Sequence, residues 1–573
     1  MRIKIAFWLG LYLALHLGVA SCSRGTGSTN GAGAPLSGQA APETPSASAQ
    51  QELAAVLKSA RHADLQWPDF SDYSKWVNKF YEQGRRLEWS RGGKPTQQAL
   101  EMIGLLVNAE KKGLDSKDYD GEHWPARVEG LEASGARDES ALVKFDVALT
   151  VSAMRYISDL HLGKVDPKTL HRDFDPERHK YDLAEFLRQQ IAVAGSVKEA
   201  LAGIEPPFPG YRRTLGALQK YLQMEKEEVP EPLTLVKKPV EPGQDYDELG
   251  KLARRLKFLG DLPAEANVLP GSQKYTGEVV EAVKSFQARH GLETGGKLGP
   301  QTIAELNRPM SARVEQLRLT LERWRWLPHD LGGPPIVVNI PEFLLRAYNE
   351  KYEMVLSMPV IVGKAMRTQT PVFMEEMKYV VFWPYWNVPP SILRNEIVPK
   401  IEKDPAYLQK NNYEVATYSG QVVTDGIVSE EVLAQLRAGK LMVRQKPGPK
   451  NALGLIKFIF PNDNNVYLHS TPSQGLFAKS RRDFSHGCIR VEDPAALAEW
   501  VLRNNPGWTK ERIAAAFKTE KEQQVNLARP IPVLIVYGTA VVPEDGKARF
   551  FEDIYGFDRQ LEKLFSQAYA SRK

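Results

Sequence analysis

Cysteine is nearly absent from this chain: 573 residues carry two, Cys22 and Cys488. There is no C-x-x-C pair, and one or two thiols with scattered histidines make a poor ligand set for zinc, so no metal and no cofactor is expected. Long apolar runs are also missing, apart from Ile5 to Val19 at the N-terminus. That run is shorter than the about 20 residues a membrane span takes, so the bulk of the chain reads as soluble. Basic blocks are lacking too. The net charge of +5 is spread along the chain, which argues against a nucleic-acid partner. What remains is ordinary globular composition, 42% hydrophobic and 25% charged, with room for several domains.

The N-terminus explains one of the cysteines. Arg2 and Lys4 precede the apolar run, and the small residues Ala20 and Ser21 follow it, the pattern of an export signal over 1–22. Val19-Ala20-Ser21-Cys22 resembles the bacterial lipobox, which implies that Cys22 is lipidated and becomes the new N-terminus. A plain signal peptide cut nearby is the alternative. Ser23, rather than Asp, leans the lipoprotein reading towards the outer membrane of a periplasmic protein. Residues 23–50, rich in Gly, Ser, Ala, Pro and Thr, read as a flexible tether. Cys488 is then left without a disulfide mate in an oxidising compartment, which calls for a reason.

The rest divides by pattern into a multidomain α+β chain. Residues 51–225 read as a helical scaffold, with apolar spacing of three and four in Gln97 to Lys112 and Leu142 to Leu160. Residues 226–245 hold four prolines and read as a linker. In 246–307, Leu249, Leu252, Leu256 and Leu259 mark one helix, Val279, Val283 and Phe286 a second, and Ile303 and Leu306 a third after a glycine-rich turn. The run AVKSFQARHGLETGGKLGPQTIAELN resembles the three-helix peptidoglycan-binding domain. From 310 to 545, β-branched and aromatic runs read as a β-rich domain: Ile336 to Ile340, Phe343 to Tyr348, Val355 to Val362, Tyr379 to Trp383, Asn465 to His469 and Pro532 to Tyr537. Residues 392–450 interrupt it with helical and polar sequence, an insertion expected to act as a lid beside the site. Residues 546–573 read as a C-terminal helical tail.

Cys488 lies in Ser485-His486-Gly487-Cys488-Ile489-Arg490. A thiol with a pKa of about 8.5 is mostly protonated at neutral pH, so an imidazole partner is the usual means of activation. His486 is close in sequence but need not face the sulfur. His469 ends a strand-like run, and a loop could return the chain so that its imidazole meets the thiol. The reading adopted is His469 as base and His486 as a pocket residue. Gly487 would let the backbone approach substrate closely, with the Gly487 and Cys488 amides stabilising an oxyanion. Each residue also has a structural reading, since a lone Cys is often a small buried hydrophobe.

Leu468-His469-Ser470-Thr471-Pro472 followed by Ser485-His486-Gly487-Cys488-Ile489-Arg490-Val491 resembles the L,D-transpeptidase family, with a YkuD-type catalytic domain over roughly 335–540. Val362-Gly363-Lys364 with Thr370-Pro371 resembles that family's earlier motif. Phe80-Tyr81 and Gly163 to Pro167 resemble the scaffold of its large branch. Ser470 stands where many members have Gly, though Ser is common in this branch. The resemblance implies a two-step acyl transfer on peptidoglycan stem peptides and glycan strands: Cys488 attacks between diaminopimelate and D-Ala, and an amine of a second stem resolves the thioester. It assigns the orienting carbonyl to Ser470. Arg490 would hold a substrate carboxylate or brace its loop. Tyr467 would border the oxyanion site or pack, and Trp383, Tyr385 and Trp386 would line a groove or sit in the core. Hydrolysis, D-amino acid exchange, lipoprotein anchoring and a non-catalytic wall-binding role stay open as alternatives.

Overall fold

In the computed structural model, the described residues are 44–569 apart from 83, 135–137, 172–173, 175–180 and 269–270. Cys22, the expected export signal and most of the expected tether lie outside them. The end of that tether is helical: Ser46 caps a helix over Ala47–Ser59 by accepting from the Ala49 amide. Among the described residues no helix is long and apolar enough to cross a membrane.

The scaffold is organised around α1, Glu139–Leu162, whose N-terminus is capped by Asp138. Nearly its whole circumference is buried, so it is a core helix rather than a surface one. Two of its carboxylates are buried but satisfied. Asp146 accepts from the Tyr81 hydroxyl and the Trp89 amide, and Asp159 accepts from the hydroxyls of Tyr119 and Tyr569. Tyr569 follows α4 (Phe557–Gln567), whose Leu561 and Phe565 join the scaffold core. The expected tail is therefore not free: its helix packs into the scaffold core, which also holds Leu53 and Leu57.

Residues 226–245 are not a free linker: Leu233 is buried in the three-helix unit, and Val240 bridges Leu298. The β-rich domain also starts later than the expected 310. Met310–Arg325 is a helix, α3, packed on α2 (Pro209–Glu227) through Met310, Leu317 and Leu321.

The β-rich domain holds one nine-stranded sheet. Its strands are β1 (Ile336–Asn339), β2 (Leu344–Tyr348), β3 (Met354–Gly363), β4 (Phe373–Phe382), β5 (Ile456–Ile459), β6 (Leu468–His469), β7 (Asp483–Ser485), β8 (Ile489–Val491) and β9 (Gln523–Val536). Their order is β7-β3-β8-β6-β5-β4-β9-β1-β2. The first half of β3 pairs with β2 and its second half with β8, which ties the two ends of the sheet together.

The segment between β4 and β5 is a folded subdomain. Trp386–Asn387, Met442–Gln445, Tyr413–Ala416 and Val422–Thr424 form a second antiparallel sheet in that order. Helices over Val398–Lys403 and Glu430–Arg437 cover it, and Ile401, Leu408, Val415, Leu436 and Val443 fill its core. The sheet was not expected from sequence. Tyr413–Ala416 is buried throughout, so it shows no alternation of the kind that signals a strand. Asn451 fastens the neck by donating to the Pro384 carbonyl at 3.0 Å.

Candidate active site

Three adjacent strands build the centre of the site. His469 on β6 stands opposite Lys457 on antiparallel β5 and beside Arg490 on parallel β8. Cys488 immediately precedes β8, so the β6–β8 pairing brings it to the imidazole's end of the sheet. All four residues border a cleft of about 940 Å³ between the sheet and the inserted subdomain.

His469 is 4% exposed, and its Nδ1 lies 2.6 Å from the Ser470 carbonyl oxygen. A carbonyl only accepts, so the proton sits on Nδ1 and Nε2 carries the lone pair. Burial, helped by the Arg490 guanidinium, pulls this imidazole down to about 3. Burial pushes the Cys488 thiol up, against the donors of Tyr467 and the charge of Arg490. Both shifts favour the neutral forms, so the resting pair is imidazole and thiol rather than imidazolium and thiolate. The thiol rests on the Asn465 carbonyl at 3.5 Å. The Tyr467 phenol, held well above its ordinary range by burial and by the facing sulfur, is a standing donor beside Cys488.

Gly487 has φ +117°, a conformation that favours glycine. Its amide is directed to Ser485 Oγ at 3.2 Å, so of the two amides expected to hold an oxyanion this one is already engaged. The Gly487 carbonyl accepts from Thr370 Oγ1 at 2.7 Å, and Thr370 Oγ1 itself accepts from the Gly363 amide at 2.9 Å. Tyr555 donates to the Gly363 carbonyl at 2.5 Å and accepts from the Thr370 amide. Gly363 admits no side chain, because a Cβ there would fall 1.9 Å from the Thr368 carbonyl oxygen. Ser485 is buried, and its carbonyl accepts from the Lys364 amide and the Thr368 hydroxyl. The Gly363-Lys364…Thr370 motif thus braces the turn that carries Cys488, in a way that strand patterns do not reveal.

The remaining expected residues divide. His486 borders the cleft as expected of a pocket residue, exposed and with Nε2 2.7 Å from Glu396 Oε1 of the inserted subdomain. Tyr385 and Trp386 border the cleft, Tyr385 beneath the Arg444 guanidinium. Trp383 does not: it is 6% exposed, packs in the core, and donates its indole N–H to the Ala516 carbonyl. Arg490 is half-buried with an unpartnered Nε. Lys457, which sequence patterns gave no reason to single out, lines the same cleft.

Three stretches of the chain match known protein families. Residues 334–530 match the L,D-transpeptidase catalytic domain, 75–218 the scaffold domain and 245–306 the peptidoglycan-binding domain. A Haemophilus influenzae protein named as a candidate L,D-transpeptidase is 34% identical over 248 residues, which is 43% of this chain and 49% of that protein. The chain thus spans about half the length of that curated relative. The crystal structure of the L,D-transpeptidase from Xylanimonas cellulosilytica (residues 123–326) aligns at 14% identity with a TM-score of 0.17, covering 54% of this chain and 100% of that one.

Proposed function

We propose that this chain, which belongs to the L,D-transpeptidase family, cross-links peptidoglycan stems by acyl transfer through Cys488, joining one diaminopimelate residue to another. The observation that carries the reading is the His469–Ser470 contact, which leaves Nε2 as an acceptor at the end of the sheet where the only described cysteine lies.

The steps follow from that tautomer. As the Cys488 sulfur attacks the carbonyl between diaminopimelate and D-Ala, its proton passes to His469 Nε2. The Cys488 amide and the Tyr467 phenol are the donors available to the developing oxyanion. Collapse breaks the C–N bond, and Nε2–H protonates the departing amine, leaving a thioester. The amine of a second stem attacks this thioester, gives a proton to Nε2, and forms the new amide. The same proton then returns to the leaving sulfur. A base held near 3 is weak, but its conjugate acid is correspondingly able to protonate the leaving amine.

The peptidoglycan-binding unit supplies the means of holding glycan strands near the cleft. The inserted subdomain, bordering the cleft and tied to the catalytic turn by Glu396 and His486, is assigned the role of a lid. The N-terminal 1–22 pattern supports export to the periplasm, with Cys22 as a lipid anchor and the outer membrane as its place. Intact-mass measurement after mixing with a tetrapeptide stem and no acceptor amine tests the acyl-enzyme. A covalent adduct on Cys488, with free D-Ala, is expected, and D-Ala release without passage through an adduct would refute it.

A further inference from the structure

The strand register places two cations on either side of the imidazole, one of which has no assigned purpose. Lys457 is the direct cross-strand neighbour of His469, as Arg490 is its parallel neighbour. Paired residues of neighbouring strands project to the same face, about 5 Å apart. Arg490 lies on the Cys488 side and feels the sulfur's charge. Lys457 lies on the other side, between His469 and Val381 of β4.

Lys457 is half-buried and lines the cleft, yet its Nζ meets no hydrogen-bond or ion-pair partner among the described residues. The acid nearest in charge, Glu522, accepts instead from the Tyr385 amide. Burial pulls the Lys457 ammonium down and Glu522 opposes that. A partly desolvated, unpaired ammonium facing a cleft is costly unless an anion completes it.

We propose that Lys457 binds the terminal carboxylate of the donor stem, the carboxylate of the amino acid that leaves. This rests on the thioester reading above. His469 protonates the departing amine, and in an α-amino acid the carboxylate hangs on the carbon next to that nitrogen. A leaving group delivered to Nε2 therefore carries its carboxylate to one flank of the imidazole. The sulfur and the acyl part occupy the Arg490 flank, so the carboxylate falls on the Lys457 flank. The ammonium then selects donors with a free C-terminus over donors that are amidated or extended there.

The test uses the full chain with two tetrapeptide stems that differ only at the end, a free carboxylate and a carboxamide, following release of D-Ala or D-alaninamide. Wild type is expected to favour the acid by roughly 10- to 100-fold in kcat/KM, the range of one charge-assisted hydrogen bond. Lys457→Met brings the ratio to near one, chiefly by raising KM for the acid, and Lys457→Arg keeps a preference for it. A Lys457→Met variant that keeps the wild-type ratio, or that loses acid and amide alike, overturns the proposal. Wild type that releases neither product brings down the transpeptidase reading itself, an outcome distinct from wild type that turns over both without preference.

Discussion

The hydroxyl of Thr370 donates to the carbonyl of Gly487 at 2.7 Å, linking the end of β3 to the turn that presents Cys488. The same oxygen accepts from the Gly363 amide, so one buried hydroxyl satisfies two backbone groups. Thr370→Val keeps the shape and removes both bonds. We expect a loss of about 1–3 kcal/mol in stability and a fall in kcat larger than any rise in KM, because the turn that presents Cys488 loses its brace. Thr370→Ser restores both. Thermal unfolding with steady-state kinetics checks this.

The buried imidazole makes stability depend on acid. His469 is held near 3 when folded and returns to about 6.5 when unfolded. Between those values the unfolded chain binds the extra proton, so this contribution is complete above about pH 6.5 and is lost as pH falls towards 3, at up to about 1.4 kcal/mol per unit. Denaturant unfolding from pH 7 to 4 should show a shallower acid loss in His469→Gln than in wild type. The pH profile of kcat/KM should lack an inflection near 6.5.

Trp383 and Trp386 separate packing from binding. Trp383→Ala empties a core site and is expected to cost about 3–5 kcal/mol. Trp386→Ala, at the cleft wall and only partly buried against the subdomain core, should cost less stability and raise KM for the stem peptide. Equal destabilisation by the two variants contradicts the placement of Trp386.

The Glu396–His486 pair is more than a third exposed at each partner, so it adds little to stability, at most about 1 kcal/mol. Glu396→Ala should nevertheless raise KM, because the pair joins the inserted subdomain to the catalytic turn. Unchanged KM removes the lid role from this contact.

Much of this site was legible in the sequence because its chemistry is local. Ser485 to Arg490 is contiguous, and His469 ends a short apolar run. The domain patterns were legible for the same reason, since helical periodicity in Leu249 to Leu259 needs no partner to be seen. What escaped depends on register. Lys457 sits beside His469 only through the β5–β6 pairing, and Thr370 and Tyr555 reach the turn from distant elements. The first half of β4, Phe373 to Glu376, carries exposed and charged residues that mask a strand. Helix α3 reads as the start of the catalytic domain by position, but its buried face was made for α2. Trp383 stayed open between groove and core, because an aromatic at strand spacing looks the same in either place.

In the proposed reaction Cys488 transfers an acyl group from one stem to another. Isolated peptidoglycan incubated with wild type and with Cys488→Ala, then digested and resolved by mass spectrometry, tests it most directly. A dimer joined between two diaminopimelate residues is expected with wild type and none with the variant. Identical digests from the two samples would contradict it.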